Sequence, residues 1–346
     1  MAPNKFIILS FICLLLTANY SKAQYADIGT GNLRNQLWWF NWNGFNIQEG
    51  ASRTFTTADG LTVQFTFTGI SGQILNPSVM DTWSGALLYN LYNFSNTAIQ
   101  PALYALNTNA YNSKCTLKIT ATRNGIPVPF TLITADAEAS DPNYENTTLT
   151  TSGTQWTTVD FFRNSTQTAN PLTGCGTNTV MMTDTYSGTV GLGQIPVLAT
   201  NATPGNTLNI GVNLQENASG GGGMGLAFGI IAAVDHGHLP ASYGDAFHAI
   251  NYTAINGCSY NPPFPTLVQN ANIILGSTPP DPLVSDTVYL NNSDPDDDGV
   301  QTFPQYMGTG NYSVSVKLKN NSGNSAYLSS WFDYNNDGIF EANERL

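Results

Sequence analysis

The residues best suited to chemistry lie near the C-terminus, in Asp333-Tyr334-Asn335-Asn336-Asp337-Gly338-Ile339-Phe340-Glu341-Ala342-Asn343-Glu344. Asp333, Asn335 and Asp337 fall at positions 1, 3 and 5 of a twelve-residue loop, and Gly338 falls at 6, where such a loop turns sharply. Ile339 at 7 offers a backbone carbonyl, Glu341 at 9 acts through water, and Glu344 at 12 offers both carboxylate oxygens. Every donor is oxygen, so the spacing predicts a hard cation, calcium, as the cofactor. The same residues also make an Asx-rich turn between two strands that holds no ion. A second acidic run, Asp294-Pro295-Asp296-Asp297-Asp298-Gly299, puts Asp294, Asp296 and Asp298 in the first three ligand positions. Its position 12 is Gln305, so the bidentate carboxylate is missing and the run reads equally as a solvated acidic turn.

Three weaker constellations deserve chemical readings of their own. Asp136 and Glu138 are spaced i, i+2 and share a face if they lie on a strand. A carboxylate pair suits glycoside hydrolysis, although a polar strand end explains the pair as well. Asp141 and Glu145 add further oxygens nearby. His236, His238 and His248 offer imidazoles for zinc or copper, but their Asp-x-Gly-x-x-Pro surroundings suit an irregular domain junction. The glycine run Gly220 to Gly223 has no helix after it to supply a phosphate-binding dipole, so it reads as a loop. No Gly-x-Ser-x-Gly elbow is set in a strand-to-helix context.

The elements expected to position these residues are strands. Leu61 to Thr68, Cys115 to Thr122 and Thr207 to Leu214 alternate apolar and polar residues, as half-buried strands do. Asn124-Gly125 followed by Val128 to Ile133 predicts a hairpin. Leu226 to Val234 is a continuous apolar strand. Tyr312 to Leu318 and Ala326 to Phe332 also alternate and are expected as strands. Trp38-Trp39-Phe40-Asn41-Trp42 either forms an aromatic face able to stack on sugars or fills the core, and core filling is favoured. Helical periodicity is absent. The expected fold class is all-β: a jelly-roll-like β-sandwich over 24–234, then a smaller β module over 235–346 that opens with a Pro- and Asn-rich connector.

Composition sets the compartment. Residues 1–23 read as a secretory signal, with Lys5, the apolar run Phe6 to Leu16 and the Ser21-Lys22-Ala23 cleavage pattern. The apolar run is too short for an ordinary membrane span. Charged residues make up 10% of the chain, against about 25% in an average protein. Removing Lys5 and Lys22 from the 11 basic residues leaves nine against 23 acidic ones, a net charge of −14. That balance argues against nucleic acid. After cleavage three cysteines remain, and one disulfide is expected, most simply Cys115–Cys175 with Cys258 free.

Trp38-Trp39-Phe40-Asn41-Trp42-Asn43-Gly44, Phe55 to Val63, Ala135-Asp136-Ala137-Glu138, Thr151 to Trp156 and Gly225 to Gly229 together resemble the non-repetitive lectin-like domain of CshA-type fibrillar adhesins, over roughly Leu33 to Val234. The remainder is similar to a GEVED-type module of bacterial surface proteins. Asp235, Gly237, Pro240, Ser242, Tyr243 and Gly244 match its opening, while His236, His238 and Leu239 depart from it. Asp298-Gly299-Val300 and Trp331 to Gly338 match later landmarks. The resemblance implies a secreted bacterial surface adhesin that binds an extracellular glycoprotein or glycan. It also implies a continuation beyond Leu346 carrying a cell-surface anchor. The alternatives are a glycan-active hydrolase and a structural stalk.

Overall fold

The computed structural model describes residues 24–57, 60–106, 111–141, 144–166, 168–183, 191–203, 205–217, 223–236, 241–243, 247–254, 257–260, 267–280, 298–300, 302–305 and 311–346. Residues 1–23, expected as a secretory signal, lie outside them. The fold is all-β, as the alternation predicts, and its main body is two antiparallel sheets packed face to face.

In chain order the strands are β1 (Leu37–Trp39), β2 (Ser52–Thr56), β3 (Leu61–Ser71), β4 (Asn76–Ser78), β5 (Ala102–Leu106), β6 (Tyr111–Arg123), β7 (Ile126–Pro127), β8 (Phe130–Asp136) and β9 (Glu145–Thr151). They continue with β10 (Thr157–Arg163), β11 (Leu172–Thr173), β12 (Thr179–Met182), β13 (Gln194–Ala202), β14 (Leu208–Glu216) and β15 (Gly223–Ile231). The first sheet has the order β10-β13-β8-β15-β5-β4, with β1 also on β15. The second has the order β11-β12-β9-β14-β6-β3-β2, with β7 also on β6.

The two sheets differ in how they meet water, and their sequences show it. In β14 burial alternates strictly along Leu208 to Glu216, so one face packs inward and the other is wet. β15 is buried at every position from Gly223 to Ile231, which requires cover on both faces. The inner cover is the second sheet. The outer cover comes from the N-terminal segment and the stretch around Met80 to Phe94, whose Leu87, Leu88, Leu91 and Tyr92 pack on Ile133, Val197 and Ala227.

The early aromatic run straddles this sheet. Trp38, Phe40 and Trp42 point into the core between the sheets, while Trp39 points the other way against Tyr92, with ring centroids 5.3 Å apart. All four rings are 2% exposed or less. The core reading therefore holds, and this run presents no sugar-stacking face.

The outer layer is tied down by polar contacts as well. Asp160, buried on β10, accepts the Asn32 backbone N–H at 2.9 Å, the Asn32 amide at 2.9 Å and the Tyr92 hydroxyl at 2.5 Å. Gly29 has φ +109°, and a Cβ there would lie 2.3 Å from the Leu91 carbonyl oxygen, so only glycine lets these segments approach.

Two sequence expectations need correction here. Asn124 and Gly125 do form a two-residue turn with φ 52° and 78°, but β7 pairs with β6 at only two positions. Pro127 and Pro129 donate no N–H, so the ladder stops and β8 crosses to the other sheet. The disulfide is Cys175–Cys258, with a Cα–Cα distance of 5.8 Å, and Cys115 is the free thiol. Cys115 sits on the inward face of β6 among core side chains. Burial raises its thiol pKa to about 12. The spacing that suggested Cys115–Cys175 carries no information about which face of a strand a cysteine occupies.

The disulfide fastens the segment after the sandwich back onto it. Beyond β16 (Ala233–His236) and β17 (Phe247–Ile250), β18 (Tyr252–Ala254) lies on the sandwich. Thr131 Oγ1 donates to the Tyr252 carbonyl at 3.1 Å, Asn201 Nδ2 to the Ala254 carbonyl at 3.2 Å, and Thr158 N–H to the Gly257 carbonyl at 2.9 Å.

Two outcomes test this architecture. Trp42→Ala should cost about 3–5 kcal/mol in denaturant unfolding, because its ring packs against Phe40, Phe55, Phe65 and Phe67. For the chain from Gln24, a thiol reagent should find no reactive cysteine in the native protein and one after unfolding without reductant. Cys258→Ser should destabilise by about 4.5 kcal/mol from loss of an 83-residue closure. Three titrating thiols in the unfolded, unreduced chain, or a reactive thiol in the native one, would contradict the pairing.

Candidate functional sites

The Asp333 loop is built as its spacing predicts at the level of backbone. Asn336 has φ 55° and Gly338 φ 78°, the two left-handed positions that fold the loop on itself. Asp333 accepts the N–H groups of Asp337 at 3.3 Å and Gly338 at 3.0 Å. Asn335 Oδ1 accepts Asp337 N–H at 3.0 Å, and Asp337 Oδ1 accepts Ile339 N–H at 2.9 Å. The last position closes on the first. Glu344 is 1% exposed and accepts Tyr334 N–H at 2.9 Å and Glu341 N–H at 3.0 Å. Glu341 and Glu344 also cap a short 3₁₀ turn, Ala342–Glu344, reciprocally.

The loop is docked by residues from far away in sequence. Tyr243 donates its hydroxyl to Asp333 at 2.8 Å, and its ring packs 4.5 Å from Phe340. Burial alone would push the Asp333 carboxyl up. The Tyr243 hydroxyl and the N–H groups of Gly338, Asn336 and Asp337 outweigh it and hold the group below the usual carboxylate range. Ser242-Tyr243 and Asp333 to Gly338 were matched separately in the sequence, and the structure brings them together.

The flanks of this loop differ from expectation. Of Tyr312 to Leu318 only Leu318 is in a strand, β21 (Leu318–Asn320), which pairs with β20 (Ile273–Leu275). Ala326 to Phe332 is irregular apart from a single bridge from Trp331 to Arg345. Tyr327 is 95% exposed. Alternation alone does not make a strand when no neighbouring strand takes its hydrogen bonds.

The second acidic run is described only in part, since Asp294 and Asp296 lie outside the described residues. Asp298 accepts the N–H groups of Ser277 at 2.7 Å and Thr278 at 3.2 Å and the Ser277 hydroxyl, and it pairs with Lys317 at 3.2 Å. The Ser277 contacts, then Thr278 and Lys317, hold its carboxyl well below the usual range. His238 also lies outside the described residues, while the backbones of His236 and His248 stand in β16 and β17.

Asp136 and Glu138 fall in an unexpected environment. Asp136 ends β8, and Glu138 lies just beyond it, at the end of the sandwich where the sheets meet. Glu145 begins β9 and Glu216 ends β14, and the two are cross-strand partners in the second sheet. All four are buried, with exposures of 2%, 0%, 6% and 2% in sequence order. Asp136 accepts Glu138 N–H at 3.3 Å and the Ser140 hydroxyl at 2.8 Å. Glu145 accepts Asp141 N–H at 2.7 Å and shares a hydrogen bond with Glu216. Buried as they are between the sheets, Asp136 and Glu138 are not placed to reach a polysaccharide. Sequence reasoning noticed Asp136, Glu138 and Glu145 but missed Glu216, whose only local signal is a charged residue on the inward phase of an alternating strand. Among the described residues, no three His, Cys, Asp or Glu groups close onto a single point.

Burial raises the Glu138 carboxyl well above its ordinary value, and the charges of Glu145, Asp136 and Glu216 add to this. Burial likewise raises Glu145 to about 8.

The sandwich these residues close also has a family. Residues 35–231, more than half of the 346, match the family described as surface adhesin CshA non-repetitive domain 2. The chain belongs to it. The matched residues include all of β1 to β15, so the CshA domain is the whole two-sheet body and not a fragment of it. Comparison with curated proteins and with solved structures finds no match. The family makes this a surface adhesin domain, which acts by binding extracellular partners and points away from catalysis. No helix among the described residues is long and apolar enough to cross a membrane.

The carboxyl cluster sets the sign of the pH dependence. Glu145 keeps its proton to about pH 8 in the folded protein, against an ordinary value of 4.5. The folded state therefore binds protons more tightly across that window, and the stability this contributes is complete below the lower value and lost as pH rises through the higher one. In chelator, the urea midpoint should be higher at pH 5 than at pH 8, and Glu138→Gln should flatten the difference. A midpoint that rises toward pH 8 would contradict the assignment.

Proposed function

We propose that this protein is a secreted bacterial surface adhesin whose sandwich binds an extracellular glycoprotein or glycan, and whose C-terminal module is stabilised by calcium. The observation that carries the adhesin reading is the family match across the entire sandwich. With the Trp38–Trp42 aromatics buried, the face best suited to a ligand is the wet outer face of the second sheet. Its outward positions form rows of hydroxyl, amide and ammonium groups. One row is Thr66, Lys118 and Asn209, and the next includes Thr68, Thr116 and Thr150. Such a flat polar array recognises a partner through many hydrogen bonds rather than a deep pocket. The test is surface plasmon resonance against immobilised matrix glycoproteins together with a glycan array. The triple variant Thr66→Ala, Lys118→Ala, Asn209→Ala should weaken binding at least about tenfold, roughly 1.4 kcal/mol, with the melting temperature held. Undiminished binding by the triple variant would move the site elsewhere, and no binding by the wild type on either surface would favour a structural stalk.

The calcium reading is supported by the donor set of Asp333, Asn335, Asp337, Ile339 carbonyl, Glu341 and Glu344. It is further supported by the way Glu344 folds back onto the loop that Asp333 begins. Calcium would cross-link the loop and so hold the Tyr243 contact. At about 10 mM calcium, with affinity on the order of 10⁻⁴–10⁻³ M, the stabilisation should be about 1.4–2.7 kcal/mol. Thermal melts with calcium and with chelator, on wild type and on Asp333→Asn with Glu344→Gln, check this. A module whose melting ignores both calcium and these substitutions rules it out.

A further inference from the structure

We propose that the buried carboxyl cluster at the end of the sandwich is a separate site for a hard divalent cation, with Asp136, Glu138, Glu145 and Glu216 as its oxygen donors. Its existence does not depend on the C-terminal loop holding an ion. Burial is the first argument. Four carboxyl groups lie beneath the two sheets, none more than 6% exposed. Removing that many acids from water is costly unless something of opposite charge or a set of donors meets them.

The four acids act on one another. The charges acting on Glu138 come from Glu145, Asp136 and Glu216, and those acting on Tyr111 come from Glu138, Glu145 and Glu216. Asp136 and Glu145 each have hydrogen-bond donors, from Ser140 and Asp141. Glu138 has none. Both of its side-chain oxygens are buried without a partner among the described residues, in a side chain 0% exposed and within electrostatic reach of the other three acids. Buried polar atoms are satisfied in the great majority of proteins, so an orphaned carboxyl inside an acidic cluster is the group a cation would meet first.

The donor chemistry selects the ion. All four groups are carboxylates, which take calcium, magnesium or manganese rather than softer metals. The donors stand as neighbours and are not yet closed on one point, so binding requires a rotation of side chains. Glu138 gives up no side-chain hydrogen bond to turn, and an ion would replace the carboxyl contact between Glu145 and Glu216. The topology suits the purpose. Asp136 ends a strand of the first sheet and Glu138 follows it, while Glu145 and Glu216 belong to the second, so a shared ion would clamp the two sheets at that end.

The test uses the chain from Gln24 with Asp333→Asn and Glu344→Gln, which silences the C-terminal loop. After chelator treatment it is titrated by calorimetry at pH 7.5 with calcium, magnesium and manganese chloride in turn, and melted with and without each. The expected result is one site for at least one of these ions and a higher melting temperature with it. Both are lost in Glu138→Gln and weakened about tenfold or more in Glu216→Gln. Circular dichroism confirms that each variant is folded. Should Glu138→Gln fail to fold, the titration of the loop-silenced protein still decides. No binding and no thermal shift with any of the three ions overturns the proposal and leaves a cluster held by protons. Binding that survives Glu138→Gln overturns it equally. Failure of the C-terminal loop to bind calcium appears separately, as no difference between the wild type and the loop-silenced protein.

Discussion

The constraint on which the sandwich depends is that its first sheet is buried on both faces. β8, β13 and β15 run nearly without interruption through apolar surroundings, and such strands have no wet side to face outward. The second sheet covers one face. The other must be covered by chain without sheet structure of its own, and that requirement explains several separate features. The N-terminal segment, the stretch around Leu87 to Phe94 and the segment ending at Cys258 all lie on that side or at its edge. Each is held by something stronger than apolar contact alone. Asp160 gathers Asn32 and Tyr92, Gly29 permits close approach to Leu91, and the disulfide fastens Cys258 to Cys175.

The same burial shapes what the protein offers a partner. Aromatic residues that might have stacked on sugars are used to fill the layers, and the single sheet face left to water is one of threonine, asparagine, glutamine and lysine. That polar plane is the face on which the proposed partner contact rests. Where the sheets converge at one end, the sandwich encloses acids instead of apolar groups.

The C-terminal module follows a different logic. Several of its aromatics stand exposed, Trp331 at 44% and Tyr334 at 61% among them. Its order comes from a loop whose side chains satisfy its own backbone, and from Tyr243, which anchors Asp333 from 90 residues earlier. Among the described residues there, hydrogen bonds to carboxylates hold the loop in shape.

Several features of this protein were determined by local sequence alone. Alternation in β3, β6 and β14 fixed both the strands and their wet faces, because side chains on a strand alternate with period two whatever it pairs with. Asn124-Gly125 fixed a turn, and Asp333 to Glu344 fixed a self-bonded loop, because both depend on backbone angles and neighbours within twelve residues. Tertiary structure decided whatever joins distant segments. Whether Cys115 or Cys258 meets Cys175 depends on which strand face points outward, and whether Ala326 to Phe332 becomes a strand depends on an edge to pair with. Glu216 joins Asp136, Glu138 and Glu145 only because β14 lies beside β9 and the two sheets close at that end. Spacing along the chain cannot encode such a meeting, since it is set by sheet order and register.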